Sequence, residues 1–124
     1  MKVDSGLMGD LAQAGASGKR LEAMGCDGAI TAETAHDPFF PLLLAAQETE
    51  RIELITSIAV AFSRTPMNLA NIGHDLNSFS KGRFVLGLGS QIQAHITKRF
   101  SMPWSSPAKR MREFITAMRA IWDS

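Results

Sequence analysis

Two short polar groups in this chain carry the residue types that do chemistry. The first is Glu33, His36 and Asp37, directly after the apolar stretch Gly28 to Ala32. A carboxylate or an imidazole at the end of a strand can hydrogen-bond a cofactor ring or move a proton. The same residues have a plainer use, with Asp37 capping the next helix and His36 on a loop surface, and spacing alone favours that plainer use. The second group is Gly87, Leu88 and Gly89, followed by Ser90 and Gln91. Glycines at a strand end let a ligand approach the backbone, and the N–H groups there can bind phosphate. A tight turn without a ligand accounts for them equally well, and the third glycine of a dinucleotide fingerprint is absent. Arg64, just ahead of Thr65-Pro66, can grip an anionic group in a forked hydrogen bond. Asp75 or Glu33 would serve it equally as an ion-pair partner.

Other chemistries find less support. His36, His74 and His95 are spread through the chain without metal-ligand spacing, so no metal site is expected. Cys26 is the single cysteine, which excludes an internal disulfide, and it reads as a small buried filler. No nucleophile elbow supports a Ser-His-Asp hydrolase. The 124 residues are 45% hydrophobic and 20% charged, with a formal net charge of +1. That balance is ordinary for a globular domain and gives no footprint for nucleic acid. Lys98-Arg99 and Lys109-Arg110-Arg112 read as solvated surface. The start, MKVDSGL, lacks the apolar run of a signal peptide, and no stretch approaches eighteen apolar residues. A cytoplasmic protein with no membrane span is therefore expected.

The elements that must position these residues alternate. Val3 to Leu7 predicts a strand. A helix over Asp10 to Met24 follows, with Leu11, Leu21 and Met24 on one face and Gly25 closing it. Gly15 and Gly18 are each expected to weaken it by about 1 kcal/mol relative to alanine. Gly28 to Ala32 predicts the second strand. The next helix starts at Asp37-Pro38 and is carried by Leu43, Leu44 and Gln47, since proline fits a first turn. Leu54 to Ala61 is nearly continuous apolar sequence with β-branched residues, as in a parallel strand buried on both faces. Thr65-Pro66 opens the third helix, with Leu69, Ile72, Leu76 and Phe79 at helical spacing. Arg83 to Leu88 is the fourth strand. A long polar loop then runs from Ser90 to Ser105. Ser106-Pro107 opens the last helix, whose stripe is Met111, Phe114, Ile115, Met118, Ile121 and Trp122. This βαβαβαβα order predicts a parallel sheet covered by helices. It suits half of an eight-stranded barrel and also a small doubly wound sheet. In either, functional residues gather at the C-terminal strand ends. Four strands leave two open edges, a problem solved by a missing half or by a second copy, so a homo-oligomer is expected of the chain expressed alone.

The stretches ELITSIAVAFSRTPMNLA, LNSFSKGRFVLGLGSQIQAHITKRFSMPW and RMREFITAMRAIW, in that order, resemble the luciferase-like monooxygenase superfamily. DGAITAETAHDPFFPLLLAAQETERIEL and the MKVDSGL start fit its branch that uses the deazaflavin coenzyme F420. The resemblance covers essentially the whole chain. It implies an α/β fold, the parallel (βα)4 half of a TIM (β/α)8 barrel, with residues 1–124 as the N-terminal half and the C-terminal half absent. It implies an oxidoreductase performing F420-dependent hydride transfer to or from a small organic substrate. The alternatives are an FMN-dependent monooxygenase, or a non-catalytic truncated half barrel that only oligomerises. By the same resemblance Glu33 stands where relatives place an acidic residue near the cofactor ring; His36, from its place in the polar cluster alone, is the other candidate catalytic residue. Ser57 and Ile58 lie where many relatives carry a non-proline cis peptide beneath the ring. Gly89, Ser90 and Gln91 fall in the loop that meets the cofactor's phosphate-bearing side chain; Arg64, from its guanidinium alone, is a further candidate cofactor contact. Relatives have a glycine and then a glutamate in that loop, whereas Ser90 is followed here by Gln91-Ile92. A half barrel alone is expected to turn over little substrate.

Overall fold

A computed structural model describes residues Met1–Ser124. The elements are β1 (Asp4–Gly6), α1 (Ala14–Ala23, entered through a short 3-10 turn at Leu11–Gln13), β2 (Gly28–Thr31) and α2 (Phe39–Glu48). Then come β3 (Glu53–Val60), α3 (Pro66–Phe79), β4 (Phe84–Gly89), a π-helical turn at His95–Arg99, and α4 (Pro107–Asp123). The strands form one sheet in the order β1-β2-β3-β4. Asp4 pairs with Gly28 and Gly28 with Glu53, both in parallel register. Leu54 N–H donates to the Arg83 carbonyl and Ala61 N–H to the Gly89 carbonyl, so β4 also ascends with β3. A strand order that never reverses is the (βα)4 architecture of a half barrel, not a doubly wound sheet.

The chain forms two compact units, Met1–Ala59 with Asp75–Gly87, and Val60–His74 with Leu88–Ser124. The core of the first is Leu21, Cys26, Ala29, Leu42, Ala45, Ala46, Ile52 and Leu54, with Leu7 and Phe84 packed against it. Gly18 is what lets α1 lie so close to α2, because a Cβ there would stand 2.7 Å from the Ala45 Cβ. This glycine, expected to weaken its helix, is a packing requirement. At the end of α1, Gly25 has φ +88 and Cys26 N–H bonds back to the Leu21 carbonyl. That is the left-handed helix stop that glycine adopts without penalty. The expected apolar face of α1 is corrected. Leu21 is buried, whereas Leu11 and Met24 are exposed. On α2 the buried residues are Phe39, Leu42, Ala45 and Ala46, while Leu43 and Gln47 face outward.

Two polar clasps close the lower end of this unit. The Arg83 guanidinium donates to the carbonyls of Ala46, Thr49, Ile52 and Ser80 and to the Thr49 hydroxyl, at 2.8–3.2 Å. It thereby satisfies carbonyls left over at the end of α2. The Glu22 carboxylate accepts N–H groups from Glu50, Arg51 and Ile52, the shortest at 2.7 Å.

The second unit is built around Phe62, which is fully buried. Its ring meets Trp104 edge-on at 6.1 Å and Phe114 at 6.5 Å, and the Arg110 guanidinium carbon lies 4.3 Å from its centroid. Trp122 Nε1–H donates to the Ala70 carbonyl at 3.0 Å, tying α4 to α3. Thr65 caps α3 by accepting the Asn68 N–H. The segment expected as an open loop from Ser90 to Ser105 holds the turn His95–Arg99, pinned by Ile96, which is fully buried.

Candidate functional site

The predicted site residues fall in both units. In the first, β2 and β3 run side by side with Thr31 opposite Thr56, so their C-terminal ends arrive together. Glu33 N–H donates to the Ile58 carbonyl at 3.1 Å, which sets Glu33 against the end of β3. The Ser57-Ile58 peptide is cis. Glu33 is buried, Ile58 half-buried and Ser57 exposed. The structure therefore brings Glu33, Ser57 and Ile58 together.

His36 lies further along the same loop and is exposed. Asp37 caps α2, its Oδ1 accepting the N–H groups of Phe39 at 2.7 Å and Phe40 at 3.0 Å. The Thr31 hydroxyl donates to the Pro38 carbonyl beneath it. Of the two readings of this cluster, Asp37 takes the structural one. His36 instead borders a cleft of about 750 Å³ between the loop after β1 and the start of α2. Leu7, Leu11, Ile30, Ala32, Phe40 and Pro41 give the cleft an apolar wall.

In the second unit the bond from Ala61 N–H to the Gly89 carbonyl joins the ends of β3 and β4. Ser90 and Gln91 follow, both half-buried, with the Ser90 hydroxyl donating to the Gln91 carbonyl. Gln91 has φ +58, a backbone conformation uncommon outside glycine. Arg64 is half-buried, and its Nη1 donates to the Val60 carbonyl at 2.9 Å and the Ser63 hydroxyl at 3.3 Å, within its own turn. Gly87 has a structural explanation inside the first unit. A Cβ there would collide with the Thr56 carbonyl oxygen, and the Thr56 hydroxyl bonds both the Gly87 N–H and its carbonyl at 2.9 Å. Its lack of a side chain serves strand pairing.

No group of three His, Cys, Asp or Glu side chains stands together to hold a metal ion. No helix is long and apolar enough to cross a membrane. The cleft wall was the feature that sequence reasoning missed. Its only sequence signal is large apolar residues, Met8, Leu11 and Phe40, placed beside predicted strand ends.

Residues 2–124 match the family model of the luciferase-like monooxygenases. The chain belongs to that family. It is 59% identical over 122 residues to an uncharacterized protein of Mycobacterium tuberculosis (strain ATCC 25618 / H37Rv), covering 98% of this chain and 36% of that protein. A second protein of that organism, provisionally named a coenzyme F420-dependent oxidoreductase, is 32% identical over 102 residues, 82% of this chain and 29% of that one. Among solved structures, the oxygenating constituent of 3,6-diketocamphane monooxygenase from Pseudomonas putida, in complex with FMN, superposes with a TM-score of 0.84. It is 18% identical, with 98% of this chain and 40% of that one covered, a likeness of fold. This member of the family spans about a third of the length of the curated relatives named here.

Proposed function

We propose that the chain is the cofactor-holding part of an oxidoreductase that uses FMN to act on a small organic substrate, in the manner of a monooxygenase. The observation that carries this reading is the family match over residues 2–124. The shared fold with a monooxygenase constituent that binds FMN supports the choice of cofactor.

The residues present fit such a group. In the first unit, half-buried Ile58 offers apolar surface to a flat ring, and the Ser57 hydroxyl and Glu33 carboxyl offer polar partners. Glu33 and His36 are the groups able to hold or move a proton. In the second unit, Gly89, Ser90, Gln91 and Arg64 fit the polar, phosphate-bearing side chain, with Arg64 supplying positive charge. FMN, when bound, supplies the redox chemistry, while the protein orients and surrounds it.

A second reading is F420-dependent hydride transfer, supported by the 32% identical relative provisionally named for that coenzyme. Titrating the purified chain with FMN and with F420, followed by cofactor fluorescence, separates the two. Saturable binding of FMN with weaker binding of F420 is expected, and the reverse order favours the second reading. A folded oligomer that binds neither leaves the non-catalytic half barrel.

A further inference from the structure

The cleft of the first unit has a chemical character that narrows what it can take. At about 750 Å³ it lies within the roughly 300–1,000 Å³ of small-molecule sites. Three large apolar side chains gather at its edge with much of their surface in water, Met8 at 66%, Leu11 at 48% and Phe40 at 59% exposure. Single exposed apolar residues are ordinary, but three around one opening mark a binding surface.

The charges are as selective as the wall. Asp10 and Asp37 both border the cleft, and no lysine or arginine does. Asp37 is held in place by the two α2 N–H groups that its Oδ1 accepts. An anionic ligand would leave water beside two carboxylates without a permanent cation to pair with, a costly burial. His36 is the one imidazole on the lining and provides a ring N–H for an oxygen acceptor.

We propose that this cleft seats the substrate of the oxidoreductase, and that the substrate is an uncharged, largely hydrocarbon molecule bearing a hydrogen-bond-accepting oxygen such as a ketone. The apolar body lies against Leu7, Ile30 and Phe40, the oxygen turns toward His36, and carboxylates and phosphates are excluded. The assignment rests on the oxidoreductase reading for the word substrate, but the binding chemistry belongs to the cleft itself.

The test uses the full chain without cofactor. Calorimetry or ligand-observed NMR compares 2-undecanone with decanoate at neutral pH. The ketone is expected to bind at least about tenfold more tightly, because the unpaired carboxylate must be desolvated. Leu11→Asp and Phe40→Asp, both at exposed positions, are expected to weaken ketone binding about tenfold or more, with folding checked by circular dichroism. Decanoate binding as tightly as the ketone, or folded mouth variants binding the ketone unchanged, overturns the proposal. FMN is titrated separately. FMN binding without ketone binding sinks the cleft alone, ketone binding without FMN or F420 binding sinks the oxidoreductase reading alone, and binding of none sinks both.

Discussion

The two compact units carry opposite charge. The first has six Lys and Arg against ten Asp and Glu, a formal −4, and the second has seven against two, a formal +5. The chain's +1 hides this asymmetry entirely. The division matches what each unit is proposed to meet. The apolar cleft belongs to the acidic unit, where anions are disfavoured, and the residues proposed for a phosphate-bearing side chain belong to the basic one. The units also differ in what holds them. The first relies on small residues and two polar clasps, and the second on an aromatic cluster. One arginine from each unit shows the contrast, since Arg83 of the first spends its guanidinium on five hydrogen bonds while Arg110 of the second lies over the Phe62 ring with a single hydrogen bond to the Pro103 carbonyl.

The largest effect is expected from Phe62→Ala. Removing a fully buried ring that touches Trp104 and Phe114 destabilises by about 3–5 kcal/mol. If the units are held separately, native-state hydrogen exchange will show the loss concentrated in Val60–His74 and Leu88–Ser124. Uniform loss of protection across both units would break the comparison. Next is Arg83→Ala, which strips donors from four carbonyls at once and is expected to cost about 3 kcal/mol in urea denaturation. Arg83→Lys should recover less than half, because one ammonium cannot reproduce a planar fork. Full rescue by lysine would mean that charge, not the hydrogen-bond set, matters there.

A smaller effect, and the sharpest on how the first unit packs, is Gly18→Ala. Helix propensity alone would make it stabilising by about 1 kcal/mol. The collision with the Ala45 Cβ at 2.7 Å opposes that, and neither atom is the free end of a flexible side chain. The net expectation is a loss of about 1–2 kcal/mol. A rise in melting temperature would show that α1 and α2 can move apart at little cost.

Much of this architecture was legible in the sequence, and the gaps have physical causes. The run from Leu54 to Ala61 announced a parallel strand, though not one buried on both faces, since Ile55 and Ile58 are half-buried and Ser57 is exposed; Asp37 and Thr65 announced their helix starts, because those signals are local. The orientation of α2 was not legible. FFPLLLAA is apolar on nearly every side, so no polar stripe tells which residues face the core. Gly18 was misread because its reason lies on another helix. His95–Arg99 has no apolar repeat, and only the burial of Ile96 explains its turn. The candidate site was expected from position alone, since parallel strands collect function at their C-terminal ends. That Glu33 meets Ile58, and that Met8 and Phe40 flank a cleft, depends on how loops fold back, which spacing does not encode.

The smallest expected effect is the most specific, because it is set by pH. Burial pushes the Glu22 carboxyl up, but the N–H groups of Arg51, Ile52 and Glu50 and the nearby Arg51 charge outweigh this, leaving it below the ordinary 4.5. A carboxylate whose folded value is depressed adds stability above its unfolded value, and that stability is lost as pH falls through the folded one. The contribution is therefore fully present at neutral pH and fades as the solution is acidified below about 4.5. Glu22→Gln keeps the shape and an acceptor oxygen but removes the charge. The variant should be less stable than the parent at pH 7, and the two denaturation curves should converge as pH approaches 3. A gap that stays constant with pH would assign the clasp to geometry alone, and a gap that widens in acid would reverse the sign and exclude Glu22 as the charged anchor of this turn.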